Sequence, residues 1–336
     1  MNLSILVFAT LVFSQEITSE NLYKYFFNFP IDRSNQLKSI FLWEDDDGEP
    51  CIKTGFGVDE KMNIYLTNTY RDKFFILDVN GEVKKIINCL WPSRFKINDS
   101  LLCVIPTYNS FQLYSRYNDQ YKVKFYSDDV SLMEKKNEFF FQDVDFSSDG
   151  QIYLLVWKKS GEFSPYLDAY YVIKTDTHLK IFLELSDPID YLAFNVISIQ
   201  NGFCVYGISD SLQLSFYTEI GEKIDTKKFS KIEAGENYIG ITKDSIFITL
   251  DPVDPGEYVF FYNLSTDRYF SFDLSYLLQA LKIQTNEEYR NCSEGNGFFP
   301  EFNFFLSQDD RLYFGIYEYN QAHFGELLYR NIITSN

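Results

Sequence analysis

The chain is 336 residues long, carries 30 basic against 48 acidic side chains for a formal charge of −18, and is 46% hydrophobic. That apolar share can build a sizeable core and excludes intrinsic disorder; the acidic balance excludes a nucleic-acid partner, whose phosphate backbone needs a basic face. Aromatic residues reach 19% while Pro and Gly number only 9 and 16, which removes collagen-like and low-complexity classes.

At the start, residues 5–13 form an apolar or small-residue run that ends abruptly at Gln15 and Glu16. The run suits a signal-peptide core and is far short of the roughly 20 residues that cross a bilayer. Val12 and Ser14 fit the −3 and −1 positions of a cleavage site, predicting a signal peptide over 1–14, a mature start at Gln15, and export to the periplasm or the extracellular space. No Lys or Arg precedes the run, so the usual basic lead is missing. No later segment reads as a membrane span. Residues 15–36 are expected to be an N-terminal extension, with a short helix at 19–27 ahead of Pro30 that covers one end of the fold.

From about residue 37 the chain reads as strands. One pattern recurs, in which an apolar strand leads into a short polar turn and then into a strand mixing branched and aromatic residues. Its clearest copies cover 58–66, 146–154 and 305–314; weaker ones cover 97–103, 199–205 and 241–248. Each turn carries Asp, Asn or Gly, residues that accept left-handed backbone angles or cap turns through their side chains. Third and fourth strands follow most hairpins, as at 74–78 and 83–87 around the Asn80-Gly81 turn. Within this β-rich stretch, Leu274, Leu277, Leu278 and Leu281 after Asp273 fall at helical spacing and open an insert running to about residue 297.

The first repeat carries a family likeness. Thr67-Asn68-Thr69-Tyr70-Arg71-Asp72-Lys73-Phe74, followed by Leu77-Asp78 and Asn80-Gly81, resembles an NHL-type propeller repeat over residues 57–87. The resemblance implies a six-bladed fold and carries no activity with it. The expected architecture is therefore an all-β, six-bladed β-propeller of four-stranded antiparallel blades over residues 37–336. Removing the signal leaves about 54 residues for each blade, within the range of propeller repeats. The last repeat supplies three strands, at 302–306, 311–317 and 327–333, and residues 37–43 are expected to add the fourth, sealing the ring and removing an exposed edge.

Chemical signatures are sparse. There is no nucleophile elbow, phosphate-binding glycine loop or His-Glu-x-x-His motif. The five cysteines at 51, 89, 103, 204 and 292 lack any Cys-x-x-Cys pair, have room for at most two bridges that the spacing does not pick, and read as small buried hydrophobes with one surface thiol as an option. Of the two histidines, His178 falls in a turn and His323 in a late loop. The acidic run 44–49 reads as a hydrated turn, since Trp43 stands where an EF-hand loop needs an acid. Sequons at Asn98, Asn263 and Asn291 matter only in a eukaryotic secretory route.

Propellers seat ligands at the channel mouth, in loops between second and third strands. Those loops point to Tyr70, Arg71, Tyr108, Asn109, Trp157, Tyr317, Tyr319 and His323 as ligand-binding candidates, and to Asp251, Asp254 and Glu257 as weaker metal candidates. The expected function is a non-enzymatic binding or scaffold protein for a protein, peptide or glycan, with no cofactor required and a divalent cation such as calcium as the option. The alternative is a metal-dependent hydrolase or lactonase resembling six-bladed gluconolactonases, where a channel cation would polarise a lactone carbonyl. Stripes such as Phe139-Phe140-Phe141 and Phe298-Phe299 are core by this reading, because wide wedges between twisted sheets suit aromatic rings.

Overall fold

A computed structural model describes residues 22–32, 40–41, 43–44, 50–51, 55–68, 72–89, 92, 94–98, 101–107, 110–117, 120–126, 139–147, 150–158, 169–175, 182–184, 189, 191–229, 238–250, 258–283, 301–318 and 321–334. In chain order the strands begin with β1 (Tyr23–Asp32) and β2 (Ile40–Phe41), then a small ribbon of β3 (Trp43–Glu44) and β4 (Pro50–Cys51). Five four-stranded antiparallel sheets follow. The first holds β5 (Phe56–Val58), β6 (Ile64–Asn68), β7 (Lys73–Leu77) and β8 (Val83–Asn88); the second β9 (Arg94–Ile97), β10 (Leu101–Thr107), β11 (Ser110–Tyr117) and β12 (Gln120–Tyr126). The third holds β13 (Phe139–Phe146), β14 (Ile152–Lys158), β15 (Ala169–Thr175) and β16 (Phe182–Glu184). The fourth holds β17 (Leu192–Ile199), β18 (Gly202–Ile208), β19 (Leu212–Thr218) and β20 (Lys223–Phe229); the fifth β21 (Tyr238–Ile241), β22 (Ile246–Leu250), β23 (Tyr258–Asn263) and β24 (Arg268–Asp273). Helix α1 (Ser275–Leu281), then β25 (Glu301–Leu306), β26 (Leu312–Tyr317), β27 (Gln321–Leu327) and helix α2 (Tyr329–Thr334) complete the described chain.

Among the described residues one turn recurs six times, joining β5 to β6, β7 to β8, β13 to β14, β19 to β20, β21 to β22 and β25 to β26. Asp59, Asp78, Ser147, Thr218, Thr242 and Ser307 each donate a backbone N–H to the carbonyl four residues on, at 2.9–3.0 Å, and accept at their own carbonyl the N–H three residues on, at 3.0–3.1 Å. The side-chain oxygen of each accepts the N–H four residues on, at 2.8–3.1 Å. The fourth position is left-handed throughout: Met62, Gly81, Gly150, Gly221, Ser245 and Asp310 have φ between 60° and 86°. This is a three-residue hairpin loop, a type I turn followed by a left-handed residue. Its grammar is local, an oxygen-bearing residue followed three positions later by one that tolerates positive φ. A side chain at that position costs roughly 1 kcal/mol, so Ser245→Gly is expected to raise the urea unfolding midpoint by the equivalent of about 0.5–1 kcal/mol. A lowered midpoint in equilibrium unfolding counts against this account of the turn.

The expectation of six four-stranded blades is corrected to five, because the sheet that holds both ends of the described chain has five strands, in the order β2-β1-β27-β26-β25. The strand that joins the last repeat is also not the expected one. β1, residues 23–32, runs antiparallel to β27 from Tyr23 opposite Leu327 to Pro30 opposite Gln321. Residues 40 and 41, inside the stretch expected to close the ring, instead extend the outer side of β1 as a parallel strand, Ile31 opposite Ile40. The helix expected at 19–27 is strand from Tyr23 onward, and its first part, with the signal region, lies outside the described residues. Of the insert expected over 274–297, the described part is α1: the Ser275 N–H donates to Asp273 Oδ1 at 2.7 Å, and Lys282 ends the helix at φ 58°; residues 284–297 lie outside the described residues.

Apart from the β3–β4 ribbon, the sheets adjoin through β5, β9, β13, β17, β21 and β25. Aromatic rings fill the wedges between them, as the sequence suggested. A methyl added at Gly57 on β5 would lie 2.9 Å from the Phe95 ring of the second sheet and 3.4 Å from the Phe305 ring of the last, so no side chain fits where three sheets meet. Between the fourth and fifth sheets, Phe229 stacks on Phe247 at 5.2 Å and meets Tyr262 edge-on at 4.7 Å. Leu22, Leu277, Leu278, Tyr329 and Ile332 share one core cluster with Leu250 and Phe314, so both helices and the start of β1 pack together against the last two sheets. A polar clamp fixes α2 there. Tyr329 Oη donates to the Asp310 carbonyl at 3.1 Å, and Arg330 Nη2 lies 3.4 Å from Asp310 Oδ2, whose carboxylate also accepts the Lys243 N–H.

Candidate functional site on the inner strands

Strands β5, β9, β13, β17, β21 and β25 each have a sheet neighbour on one side only, so half of their backbone N–H groups face away from the sheet and need another acceptor. Two carboxylates of β13 meet that need on β17. Asp143 Oδ2 accepts the Val196 N–H and an Asn195 Nδ2 proton, both at 3.1 Å, and Asp145 Oδ2 accepts the Ser198 N–H at 2.7 Å. Residues two apart on one strand thus bond residues two apart on the next, as strand periodicity requires.

On the other side, Lys96 of β9 brings its ammonium to 3.9 Å from Asp145 Oδ1, with the two side chains 28% and 20% exposed. Burial alone would lower the Lys96 pKa, but Asp145 and then Asp143 more than offset it, so the ammonium is held charged more firmly than a free lysine. Tyr238 of β21 is pushed the other way from ionisation: burial first, then Cys204, Asp145 and Asp143, keep its phenol protonated well beyond the ordinary range. Lys96, Asp143, Asp145, Asn195 and Ser198 form one polar strip across three successive sheets. It offers a fixed cation beside fixed acceptors, an arrangement suited to holding a polar ligand by hydrogen bonds.

The strip does not fit a divalent cation. Both Oδ2 atoms already accept backbone N–H groups, and the position beside Asp145 is taken by an ammonium. Among the described residues no group of three or more His, Cys, Asp or Glu side chains could hold a metal ion. The described thiols are equally quiet. Cys89 and Cys204 are buried and free; burial above all pushes Cys89 up to about 11, with Asp72 adding to it and a bond to Tyr114 opposing, and burial raises Cys204 further still.

Of the candidates read from sequence, Tyr70, Arg71, Tyr108, Asn109, Tyr319, Asp251, Asp254 and Glu257 lie outside the described residues. Trp157 sits at the end of β14, half-buried and packed against the cluster of Tyr153, Leu155 and Tyr170. Tyr317 lies at the end of β26 and is fully buried, edge-on to Phe324 at 5.9 Å. His323 is likewise not in a loop but in β27 and is only 8% exposed. Its Nε2 pairs with Glu318 Oε1 at 2.6 Å and its Nδ1 lies 3.4 Å from Tyr25 Oη, which ties the closing strand to the β26–β27 connection. The polar strip was missed by sequence reasoning. The available signal was Gln142-Asp143-Val144-Asp145, two acids alternating inside an otherwise aromatic strand.

No protein-family model matches the sequence, and a search of curated proteins finds no match. Among solved structures the chain is similar to a gluconolactonase from Xanthomonas campestris, at 10% identity over 81% of this chain and 85% of that one, with a TM-score of 0.50. It is similar also to a luciferin-regenerating enzyme (9% identity, 92% and 93% covered, TM-score 0.49) and to a calcium-binding regucalcin from Agrobacterium tumefaciens (11%, 81% and 90%, 0.47). At such identities the likeness is one of fold. The chain is an all-β propeller built of four-stranded antiparallel blades. Among the described residues no helix is long and apolar enough to cross a membrane.

Proposed function

We propose that this chain is an exported, non-enzymatic binding propeller that recognises a protein, peptide or glycan over the inner strands of its second, third and fourth sheets. In this reading the five-stranded sheet is the closing blade, making six around one axis, which the contacts of Gly57 with two neighbouring sheets support. The observation that carries the function is the strip of Lys96, Asp143, Asp145 and Asn195, in which neighbouring donor and acceptor groups are held by the carboxylate bonds from β13 to β17. Rigid, alternating donors and acceptors suit hydroxyl-rich or amide-rich ligands, whose groups both donate and accept.

A thermal-shift screen of soluble oligosaccharides and peptides tests this. At least one is expected to raise the melting temperature by several degrees, and Lys96→Gln is expected to weaken its binding about tenfold or more. The same assay with calcium or zinc against a chelator, and with gluconolactone as substrate, separates the lactonase alternative. A several-degree rise with cation together with lactone hydrolysis overturns the binding reading.

A further inference from the structure

Met62 occupies the left-handed position of the β5–β6 turn, at φ 61°, where three of the six equivalent turns use glycine. Its side chain crosses from the first sheet to the closing one. Met62 Sδ lies 3.5 Å from Arg311 Nη1 and 3.4 Å from Tyr313 Oη, at the start of β26. The Arg311 donor is fixed independently of the sulfur, and the Tyr313 ring is held by burial. Arg311 makes a bidentate pair with Glu326, Nε to Oε1 at 2.9 Å and Nη2 to Oε2 at 2.5 Å, and its guanidinium sits 5.2 Å above the Tyr313 ring, which is 1% exposed. Met62 itself is half-buried. A thioether is a weak acceptor for two strong donors.

We propose that Met62 is a site of reversible oxidation, and that its sulfoxide tightens the seam between the first sheet and the closing sheet. The sulfur lone pair attacks one oxygen of a peroxide such as hydrogen peroxide; the O–O bond breaks, the S–O bond forms, and water leaves after proton transfer. Sulfur is oxidised by two electrons and the peroxide reduced. A sulfoxide oxygen lies about 1.5 Å from sulfur, and at its preferred angle a donor sits about 3.9 Å from the sulfur. The present spacing therefore needs an adjustment of about 0.4 Å for both donors to reach it, small for a side chain with three rotatable bonds. Sulfoxidation ordinarily disrupts apolar cores; here it converts a weak acceptor into a strong one in front of a guanidinium and a phenol. Methionine sulfoxide reductases reverse the step.

The sequence holds only three methionines, Met1, Met62 and Met133, so peptide mass spectrometry assigns the modification directly. The full chain is treated with hydrogen peroxide, mapped, and melted beside its untreated form and beside Met62→Leu treated identically, which carries any Met133 oxidation. The expected result is one added oxygen on Met62 in the folded chain and a melting temperature about 1–3 °C higher, absent in Met62→Leu and erased by methionine sulfoxide reductase. Met62→Gln, which puts a carbonyl oxygen where the sulfoxide oxygen would be, is expected to melt higher than Met62→Leu without peroxide. A Met62 that stays unmodified until unfolding, or a melting temperature that is unchanged or falls on its oxidation, overturns the proposal.

Discussion

Deleting residues 15–45 is expected to leave a chain that does not fold, rather than a propeller lacking an accessory arm. The deletion removes all of β1 and β2. With them go Leu22, Phe27, Phe29, Ile31 and Ile40, all at most 7% exposed. Each buried side chain of this size contributes about 1.5–3 kcal/mol, so the five together match the whole stability of a typical domain, about 5–15 kcal/mol. The loss also exposes the outer edge of β27, a row of unpaired backbone groups that invites aggregation. Because such a chain can precipitate, two point variants read the same seam in soluble protein. Phe27→Ala empties space against Phe324, whose ring lies 5.2 Å away, and is expected to cost about 3–5 kcal/mol. A methyl at Gly325 would stand 2.5 Å from Phe314 Cζ and 2.7 Å from the Lys24 carbonyl oxygen, so Gly325→Ala pushes β1 off β27. Circular dichroism melting measures all three, and a synthetic peptide covering residues 22–41, added to the deleted chain, is expected to restore β-structure. A deleted chain that melts with the full-length one refutes the closure.

What could and could not be read from the residues follows from the range of the forces involved. The hairpins were legible because their turn chemistry is complete within five residues: Ser147 and Gly150, or Asp78 and Gly81, carry both the accepting oxygen and the left-handed position. Aromatic richness was legible as core for a similar reason, since any wedge between twisted sheets needs bulk, whichever sheets face each other. The closing strand was not legible. Residues 27–31 do alternate between buried and exposed, but a bulge between Tyr25 and Phe27 shifts the phase, so the stretch mixes two periods and mimics a helix. Pro30 reinforced the misreading, although it is exposed near the end of a strand where a missing N–H is tolerated. Register against β27 is a partnership between residues some 300 positions apart, and nothing local fixes it. The inner-strand site has the same character. Asp143 and Asp145 are ordinary strand residues until β17 places the Val196 and Ser198 N–H groups before them and β9 delivers Lys96. His323 shows the same limit: read as part of a loop over 317–323, it stands in β27, where its imidazole pairs with Glu318 and lies beside Tyr25 of β1.

The recurring turn also predicts a graded series of effects, because its six copies differ in how much the first side chain does. Asp59 does most. Its Oδ1 accepts the Lys61 and Asn63 N–H groups at 2.9 and 2.8 Å, and its Oδ2 accepts Asn63 Nδ2 at 2.8 Å and the hydroxyl of fully buried Tyr65 at 2.9 Å. Asp59→Ala strands those donors in a buried setting and is expected to cost about 3–4 kcal/mol. For a chain of this length that is a fall of roughly 4–6 °C in melting temperature. Ser147 makes the same turn with a single hydroxyl, accepting the Gln151 N–H at 2.8 Å and donating to its carbonyl at 3.2 Å. Ser147→Ala is expected to cost only about 1 kcal/mol, the scale of a lost cap. Asp59→Asn falls between, since its amide keeps the Oδ1 contacts and turns a donor toward Asn63 Nδ2, which also donates. If Asp59→Ala and Ser147→Ala shift the urea midpoint equally, the side chain of the first turn residue acts only as a backbone cap, and the bonds to Tyr65 and Asn63 contribute nothing to holding the first sheet.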